Sequence, residues 1–219
     1  MKLRPLFTKQ VYFVSGIDTD AGKTIATGWL SKHLLDEGVR VITQKLVQTG
    51  NVGMSEDIEK HRQIEGRALQ AVDIDHTTHP LLFKKPCSPH MAAELEGTTV
   101  DLSQAEHSTE VLKDKYELIL LEGAGGLMVP LNRELLSIDF IAKHKYPVIL
   151  VATAKLGSIN HTLLSLEALK SRNIEVTAVI YNEGVATDDE ITEDTHHYLE
   201  DYITKHYPET QFLTLPPLC

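Results

Sequence analysis

The sequence predicts an α/β fold, with a doubly wound, mostly parallel sheet and helices on both of its faces. Short apolar runs alternate with longer stretches of helical pattern along the 219 residues. The apolar runs are continuous rather than alternating, as expected for parallel strands that are covered on both faces. A chain of this length with 42% hydrophobic residues can form one well-packed core, so we expect a single domain over residues 1–219.

Five apolar runs are expected to form the strands, and six longer stretches the helices. The predicted strands cover residues 11–15, 39–47, 117–123, 147–153 and 175–182. The predicted helices cover residues 23–37, 56–70, 103–115, 134–144, 158–172 and 188–206. Open parallel sheets bind ligands beyond the carboxyl ends of their strands, so polar motifs directly after these runs are the candidate site.

Residues 71–97 interrupt the alternation. The segment is rich in proline and histidine, and its first part has no clear periodicity. A loop of this length in a compact domain is usually functional or mobile, which is what we expect of it.

Composition limits the possible partners and the location. The chain carries 21 basic and 31 acidic side chains, a formal charge of −10, which disfavours nucleic-acid backbones and anionic membranes. No apolar stretch has the length of a membrane span, and the N-terminus lacks the features of a signal peptide. Cys87 and Cys219 form no Cys-x-x-Cys pair, so reduced thiols and a cytoplasmic location are expected.

The segment after the first strand, GIDTDAGKT (16–24), is typical of a phosphate-binding loop. Gly22, Lys23 and Thr24 match the end of a Walker A motif, in which backbone N–H groups and a helix N-terminus cradle phosphate. Lys23 would reach the β- and γ-phosphates, and the Thr24 hydroxyl would bind Mg²⁺. Five residues separate Gly16 from Gly22 instead of the usual four. The alternative is a glycine-rich turn without a ligand; the intact GKT favours a P-loop NTPase fold that binds Mg-ATP.

A second motif, EGAGG (122–126), follows the third predicted strand. Glu122 stands at the expected strand tip, where a second group near the metal belongs, and the glycines after it allow a close approach to phosphate. A glycine-rich turn after a strand is common, so the interpretation depends on the first loop.

Three further residues are candidates, each with an ordinary alternative. Lys45 lies in an apolar strand and is costly to bury unless it meets an anion, or else it is an edge-strand lysine that extends to solvent. Thr49 follows that strand, where its hydroxyl could meet a substrate. Asp57 opens the next helix and is either a metal ligand or a carboxylate that the helix dipole favours.

Taken together, the motifs resemble the dethiobiotin synthetase family. The matching segments, in the same order over residues 11 to about 185, are GIDTDAGKT, KLVQTG, SED, PCSPHMAAELEG, EGAGGLMVPL, KLGSINHTLL and YN. The longer loop between Gly16 and Gly22 is that family's form, and EGAGG combined with KLGSINH is far more specific than a phosphate loop alone.

The resemblance implies a homodimer that makes dethiobiotin for biotin synthesis from 7,8-diaminononanoate, CO₂ and ATP, with Mg²⁺ as cofactor. In such enzymes one amine captures CO₂ as a carbamate, a carbamate oxygen attacks the γ-phosphate, and the second amine closes the ring. Phosphoryl transfer of this kind depends on positioning and charge neutralisation.

The resemblance also implies residue roles. Lys23 and Lys45 would be catalytic, and Thr24, Asp57 and Glu122 would hold Mg²⁺. The residues expected to bind ATP are Asp20, Ala21, Gly22, Lys23, Thr24, Ile25, Asp57, Glu122, Gly123, Ala124, Gly125, Asn182, Glu183, Leu215, Pro216 and Pro217. The substrate would contact Thr49 and, from the partner subunit, Gly157, Ser158, Ile159 and Asn160. Ser88, Pro89 and His90 would shape the substrate side, although His90 could equally be a packing residue at a helix start.

Two other classes fit the sequence less well. A switch ATPase of the partitioning type would carry a second lysine early in the loop, at Asp18 or Thr19, and would need a basic or amphipathic surface. Another ATP-dependent synthetase with a different acid or amide substrate is the second alternative. A catalytically inactive relative is disfavoured because the lysines and carboxylates are all present.

Overall fold

The computed structural model describes residues 2–186 and 188–218. Its strands are β1 (Val11–Gly16), β2 (Val41–Lys45), β3 (Gln48–Thr49), β4 (Leu82–Phe83), β5 (Leu118–Gly126), β6 (Val148–Thr153), β7 (Val176–Asn182) and β8 (Gln211–Leu215). Its helices are α1 (Lys23–Asp36), α2 (Glu56–Glu65), α3 (Ala71–Ile74), α4 (Pro89–Leu95), α5 (Leu102–Lys113), α6 (Ser137–His144), α7 (Ser158–Lys170) and α8 (Asp189–His206).

Six strands form one parallel sheet in the order β2-β5-β1-β6-β7-β8. β3 and β4 form a separate parallel pair beside it. The order places β1, and the loop that follows it, in the middle of the sheet. The predicted doubly wound α/β fold is therefore confirmed.

Alternate residues of each central strand enter opposite halves of the core. Tyr12 and Val14 of β1 pack on the side of α1, whereas Val11 and Phe13 pack on the side that α5, α6, α7 and α8 cover. Both sets are buried, which explains why the strands are continuously apolar. Burial of each large side chain contributes roughly 1.5–3 kcal/mol.

Three predictions of local structure were wrong. α2 ends at Glu65 rather than at residue 70, because Gly66 adopts φ 70° and its N–H closes the helix on the carbonyls of Arg62 and Gln63. Residues 71–97 are not one long loop, since they contain α3, β4 and α4. β8 was missed because only Leu213 and Leu215 are buried in its short run at the sheet edge.

Two predictions concern cysteines and membranes. Cys87 is a free, half-buried thiol, and Cys219 lies outside the described residues. Among the helices in residues 2–186 and 188–218, none combines the length and the apolar character needed to cross a bilayer.

A buried ionic network joins α2 to its surroundings. The Arg62 guanidinium is 2% exposed and donates to both carboxylate oxygens of Asp73, at 2.9 Å each. It also donates to Glu65 at 3.0 Å and to the Thr43 hydroxyl at 3.0 Å. Glu65 in turn accepts from Ser31 at 2.6 Å. The network therefore connects α1, α2, α3 and β2 beneath the carboxyl end of the sheet.

His79 lies at the edge of this network and is 1% exposed. Its Nε2 lies 2.8 Å from Nδ1 of His76. Burial and the neighbouring His76 lower the pKa of His79 to about 4. The preceding residue, Thr78, accepts a backbone hydrogen bond from Lys45 N at 2.7 Å, so His79 lies next to a contact with the end of β2.

We expect His79 to make stability depend on pH below neutrality. Its folded pKa lies below the unfolded value of about 6.5, so the unfolded chain binds more protons in the window between them. The free energy of unfolding should therefore be retained above about pH 6.5 and should fall by about 3 kcal/mol as the pH decreases to about 4. Urea unfolding at pH 7 and pH 4.5 measures this loss. His79→Gln should show a smaller loss, and an equal loss in both proteins would contradict the assignment.

Candidate functional site

The phosphate loop connects the end of β1 to the start of α1. Gly22 caps α1 with φ 86°, a left-handed conformation that favours glycine. A Cβ at this position would also overlap the side-chain amide of Asn182. Asp20 adopts φ 57°, a conformation that aspartate tolerates better than most residues. The first N–H groups of α1 point into this turn without helical partners, as an anion site requires.

Sheet register brings the two candidate strand residues together. Lys45 of β2 and Glu122 of β5 are direct neighbours across the parallel pair. Asp57 reaches the same place from the first turn of α2, whose N-terminus is capped by the Ser55 side chain. Residues that are far apart in the sequence are thus adjacent because strand order places β5 between β2 and β1.

These side chains form a compact ionic cluster with Thr24. Lys45 Nζ donates to Glu122 Oε1 at 2.8 Å and pairs with the Asp57 carboxylate. Thr24 Oγ1 lies 3.0 Å from Asp57 Oδ1 and 3.2 Å from Glu122 Oε1. β2 is an edge strand, but the Lys45 side chain is only 6% exposed. The alternative of an edge lysine that extends to solvent is therefore wrong.

The cluster sets the charge states of its members. Burial and the nearby Lys45 lower the pKa of Lys23. Burial alone would lower the pKa of Lys45, but Glu122 and Asp57 together raise it. Burial would likewise raise the pKa of Glu122, but Lys45 and a hydrogen bond from His61 hold it well below its ordinary value. Glu122 is thus ionised at neutral pH, and Lys45 is charged.

An open cleft of about 750 Å³ contains the cluster. It is lined by the phosphate loop, by the ends of β2 and β5, and by β3 and the start of α4. The lining residues among the predicted set are Asp20, Gly22, Lys23, Thr24, Ile25, Lys45, Thr49, Asp57, Ser88, Pro89, Glu122, Ala124 and Gly125. Ala21 and Gly123 do not line the cleft, and Ala21 is fully buried beneath the loop. His90 does not line it either: it lies half-buried in α4, as the packing alternative expects.

The remaining predicted ATP-binding residues lie where the ends of β7 and β8 meet the phosphate loop. Asn182 and Leu215 are neighbours at the ends of β7 and β8, and the Asn182 amide donates to the carbonyl of Ala21 at 3.1 Å. Its oxygen accepts from Gly184 N at 3.0 Å, which caps the 3₁₀ turn that contains Glu183. Pro216 and Pro217 follow as exposed residues.

The predicted substrate-capping segment lies elsewhere in the chain. Gly157, Ile159 and Asn160 line a separate depression with residues of α8 and do not line the cleft. Ser158 is buried, and its Oγ accepts from Thr153 N at 3.2 Å. Within one subunit, the structure does not bring this segment to Thr49.

The donor set at the cluster suits magnesium. A threonine hydroxyl and two carboxylates are the hard oxygen ligands that Mg²⁺ prefers, with phosphate oxygens and water completing the shell. In the described ranges, no group of three or more His, Cys, Asp and Glu side chains could hold a metal.

His61 was not predicted to belong to the site. Its ring is fully buried between Glu122 Oε2 and Thr43 Oγ1, at 2.9 Å from each. The sequence offers little signal for it, because a histidine among charged residues on a predicted helix usually faces solvent.

Fold and site together define the class of the protein. A glycine-rich loop between a central parallel strand and a helix, with a GKT ending and carboxylates from neighbouring elements, is the nucleotide site of P-loop proteins. A family model described as an AAA domain matches residues 10–218.

Comparison with known proteins gives the family. The chain is 51% identical to ATP-dependent dethiobiotin synthetase BioD 2 of Pasteurella multocida, over 93% of this chain and 95% of the relative. It is 50% identical to the Haemophilus ducreyi protein of the same name, over 94% and 98%. ATP-dependent dethiobiotin synthetase BioD of Chlorobaculum tepidum is 48% identical, over 87% and 80%. The chain belongs to the ATP-dependent dethiobiotin synthetase family, and the predicted family and ATP-dependent enzyme class are confirmed.

Proposed function

We propose that this chain converts 7,8-diaminononanoate, CO₂ and ATP into dethiobiotin, ADP and phosphate, a step of biotin biosynthesis, with residues 1–219 acting as one domain. The convergence of Lys23, Lys45, Thr24, Asp57 and Glu122 in one cleft carries the proposal. The names of the relatives supply the substrate class.

The proposed reaction has three steps. One amine of the substrate attacks CO₂ and loses a proton, which gives a carbamate. A carbamate oxygen then attacks the γ-phosphorus, and ADP leaves. The second amine finally attacks the carbonyl carbon of this carbamic–phosphoric anhydride and loses a proton, phosphate leaves and the ring closes. Negative charge develops on the carbamate and phosphoryl oxygens during these steps, so the enzyme acts mainly through positioned cations.

Lys45 and Lys23 would supply the protein's positive charge. In the absence of ligand, Lys45 is held by Glu122 and Asp57. Lys45 and Thr49 line the same cleft, so the Lys45 ammonium can meet a carbamate oxygen there. Lys23 starts α1 at the phosphate loop and lies against Gly16 and Asp18, where it would reach the β- and γ-phosphates. The Thr49 hydroxyl would bind the carbamate.

Mg²⁺, when bound, would neutralise charge on the β- and γ-phosphates and fix their orientation. The residues proposed to hold it are Thr24, Asp57 and Glu122. Thr24 is the most readily tested of the three, because valine has nearly the same shape but no hydroxyl.

We expect Thr24→Val to weaken the use of Mg-ATP. The variant removes one oxygen ligand and leaves both carboxylates in place, so the Mg²⁺ concentration at half-maximal turnover should rise by about tenfold or more. Thr27→Val on the same helix is the matched control, since Thr27 is fully buried and does not line the cleft. An unchanged Mg²⁺ dependence in Thr24→Val would remove Thr24 from the ligand set.

The other end of the nucleotide would lie beyond the loop. Asn182, Glu183 and Leu215–Pro217 cluster at the ends of β7 and β8, beside the loop that would hold the phosphates. We propose that this cluster contacts adenine.

A homodimer would complete the substrate site. Gly157–Asn160 do not line the cleft of their own chain, and Leu156 beside them is 85% exposed. We propose that this segment caps the substrate carboxylate in the partner subunit through the N–H groups at the start of α7. The cytoplasmic location stays a prediction from the sequence.

Purified protein with ATP, Mg²⁺, bicarbonate and 7,8-diaminononanoate tests the proposal. Phosphate release should require the diamine, and dethiobiotin should appear in equal amount by mass spectrometry. Phosphate release that is the same without the diamine would overturn the proposal and favour a switch ATPase. Release that depends on another amine or acid instead would favour a different synthetase.

A further inference from the structure

His61 lies one helical turn after Asp57 on the inner face of α2, and its ring is completely buried. Nε2 is 2.9 Å from Glu122 Oε2, and Nδ1 is 2.9 Å from Thr43 Oγ1. We propose that His61 is a positioning residue for the metal, which holds the Glu122 carboxylate so that only Oε1 faces the cleft. The inference rests on the proposed Mg²⁺ site.

The direction of each hydrogen bond follows from the partners. Arg62 Nη1 donates to Thr43 Oγ1 at 3.0 Å, because a guanidinium cannot accept. The Thr43 hydroxyl proton is then free to be donated to His61 Nδ1. The Glu122 carboxylate is ionised and can only accept, so Nε2 carries a proton and donates to Oε2. This arrangement gives each of these buried polar groups a hydrogen-bond partner.

The hydrogen bond from His61 gives the two carboxylate oxygens of Glu122 different partners. Oε2 is occupied by His61, whereas Oε1 lies 2.8 Å from Lys45 Nζ and 3.2 Å from Thr24 Oγ1. Mg²⁺ requires near-ideal octahedral geometry at short distances. A carboxylate that could rotate freely, or offer both oxygens, would fit that geometry poorly. Side chains that orient metal ligands in this way typically change metal affinity by about 10–100-fold.

Two substitutions separate orientation from packing. His61→Leu fills a similar volume without a donor, and His61→Gln places an amide N–H close to the position of Nε2. Binding of Mn²⁺ with a non-hydrolysable ATP analogue, measured by calorimetry without the diamine, reports on the site independently of turnover. The Mg²⁺ concentration at half-maximal activity, and kcat and KM for the diamine, are measured in parallel.

We expect His61→Leu to weaken Mn²⁺ binding by about 10–100-fold, to lower kcat at fixed Mg²⁺ and to leave KM for the diamine near the wild-type value. His61→Gln should recover most of the metal affinity. Thr109→Val is the matched control: it removes a buried hydroxyl that bonds Gln44 and Ala105 but does not line the cleft, so metal binding should be unchanged.

Unchanged metal affinity in His61→Leu, or equal loss in His61→Gln and His61→Leu, would overturn the inference. If His61→Leu does not fold, Thr43→Val takes its place, since it removes the group that orients the ring. A normal Mn²⁺ affinity in that variant would overturn the inference as well. Failure of the wild-type protein to bind Mn²⁺ with the nucleotide would instead count against the proposed metal site.

Discussion

Lys45→Gln is expected to lower turnover by a factor of about 10² or more with the fold intact, because one charge-stabilising group at a reacting centre typically contributes a few kcal/mol. Glutamine keeps most of the length of lysine and can still donate to Glu122, so the change isolates the charge. The proposed carbamate and the transferring phosphoryl group both gain negative charge near Lys45 Nζ. Neutral glutamine cannot compensate for it.

Steady-state kinetics with ATP and the diamine, together with thermal unfolding, measure this effect. The loss should fall mainly on kcat, since the charge acts most strongly in the transition state. Lys32→Gln is the matched control on α1, because Lys32 is exposed and pairs with Asp36 four residues later. Near-normal turnover in Lys45→Gln would mean that Lys45 serves only to neutralise Glu122 and Asp57.

Arg62→Leu is expected to produce the largest loss of stability. Arg62 is 2% exposed and donates to Asp73, Glu65 and Thr43. Its removal leaves two buried carboxylates without their cation, and breaking a buried pair in this way costs about 3–5 kcal/mol. The midpoint of thermal unfolding should fall by roughly 6–20 °C for a chain of this size.

Arg133→Leu provides the comparison. Arg133 also donates two bonds to a single carboxylate, Glu94, at 2.6 and 2.7 Å, but both side chains are exposed. Exposed pairs contribute little, so the unfolding midpoint should hardly change. Equal midpoints for Arg62→Leu and the wild-type protein would show that water or local rearrangement can stabilise the Glu65 and Asp73 carboxylates without Arg62.

Much of the candidate site could be predicted because its residues belong to short, recognisable sequence motifs. Lys45 stands out as a lysine within an apolar strand, and the GKT ending marks the start of α1. The structure then shows that the sheet register places Glu122 beside Lys45. That pairing could be anticipated only because both residues end strands of one parallel sheet.

The missed features depend on contacts between distant residues. His61 and Arg62 belong to a predicted helix rich in charge, whose ordinary position is at the surface. They are buried because Thr43, Asp73 and Glu122 meet them there. The short elements in residues 71–97 have too few residues for a periodic pattern, and they form because the ends of β2 and β3 offer backbone partners.

Strand order also determines how far apart the two ends of the proposed nucleotide site can be. Lys45 ends β2 and Asn182 ends β7, which lies four strand positions away in the sheet. At about 4.8 Å between neighbouring strands, this separation is roughly 19 Å, comparable to the span of an extended nucleoside triphosphate. The sheet thus fixes the distance between the two ends of the proposed nucleotide site. Loops around it can change in sequence and length without changing the reach between base and transferred phosphate, whereas insertion or loss of one strand would alter that reach by a whole step.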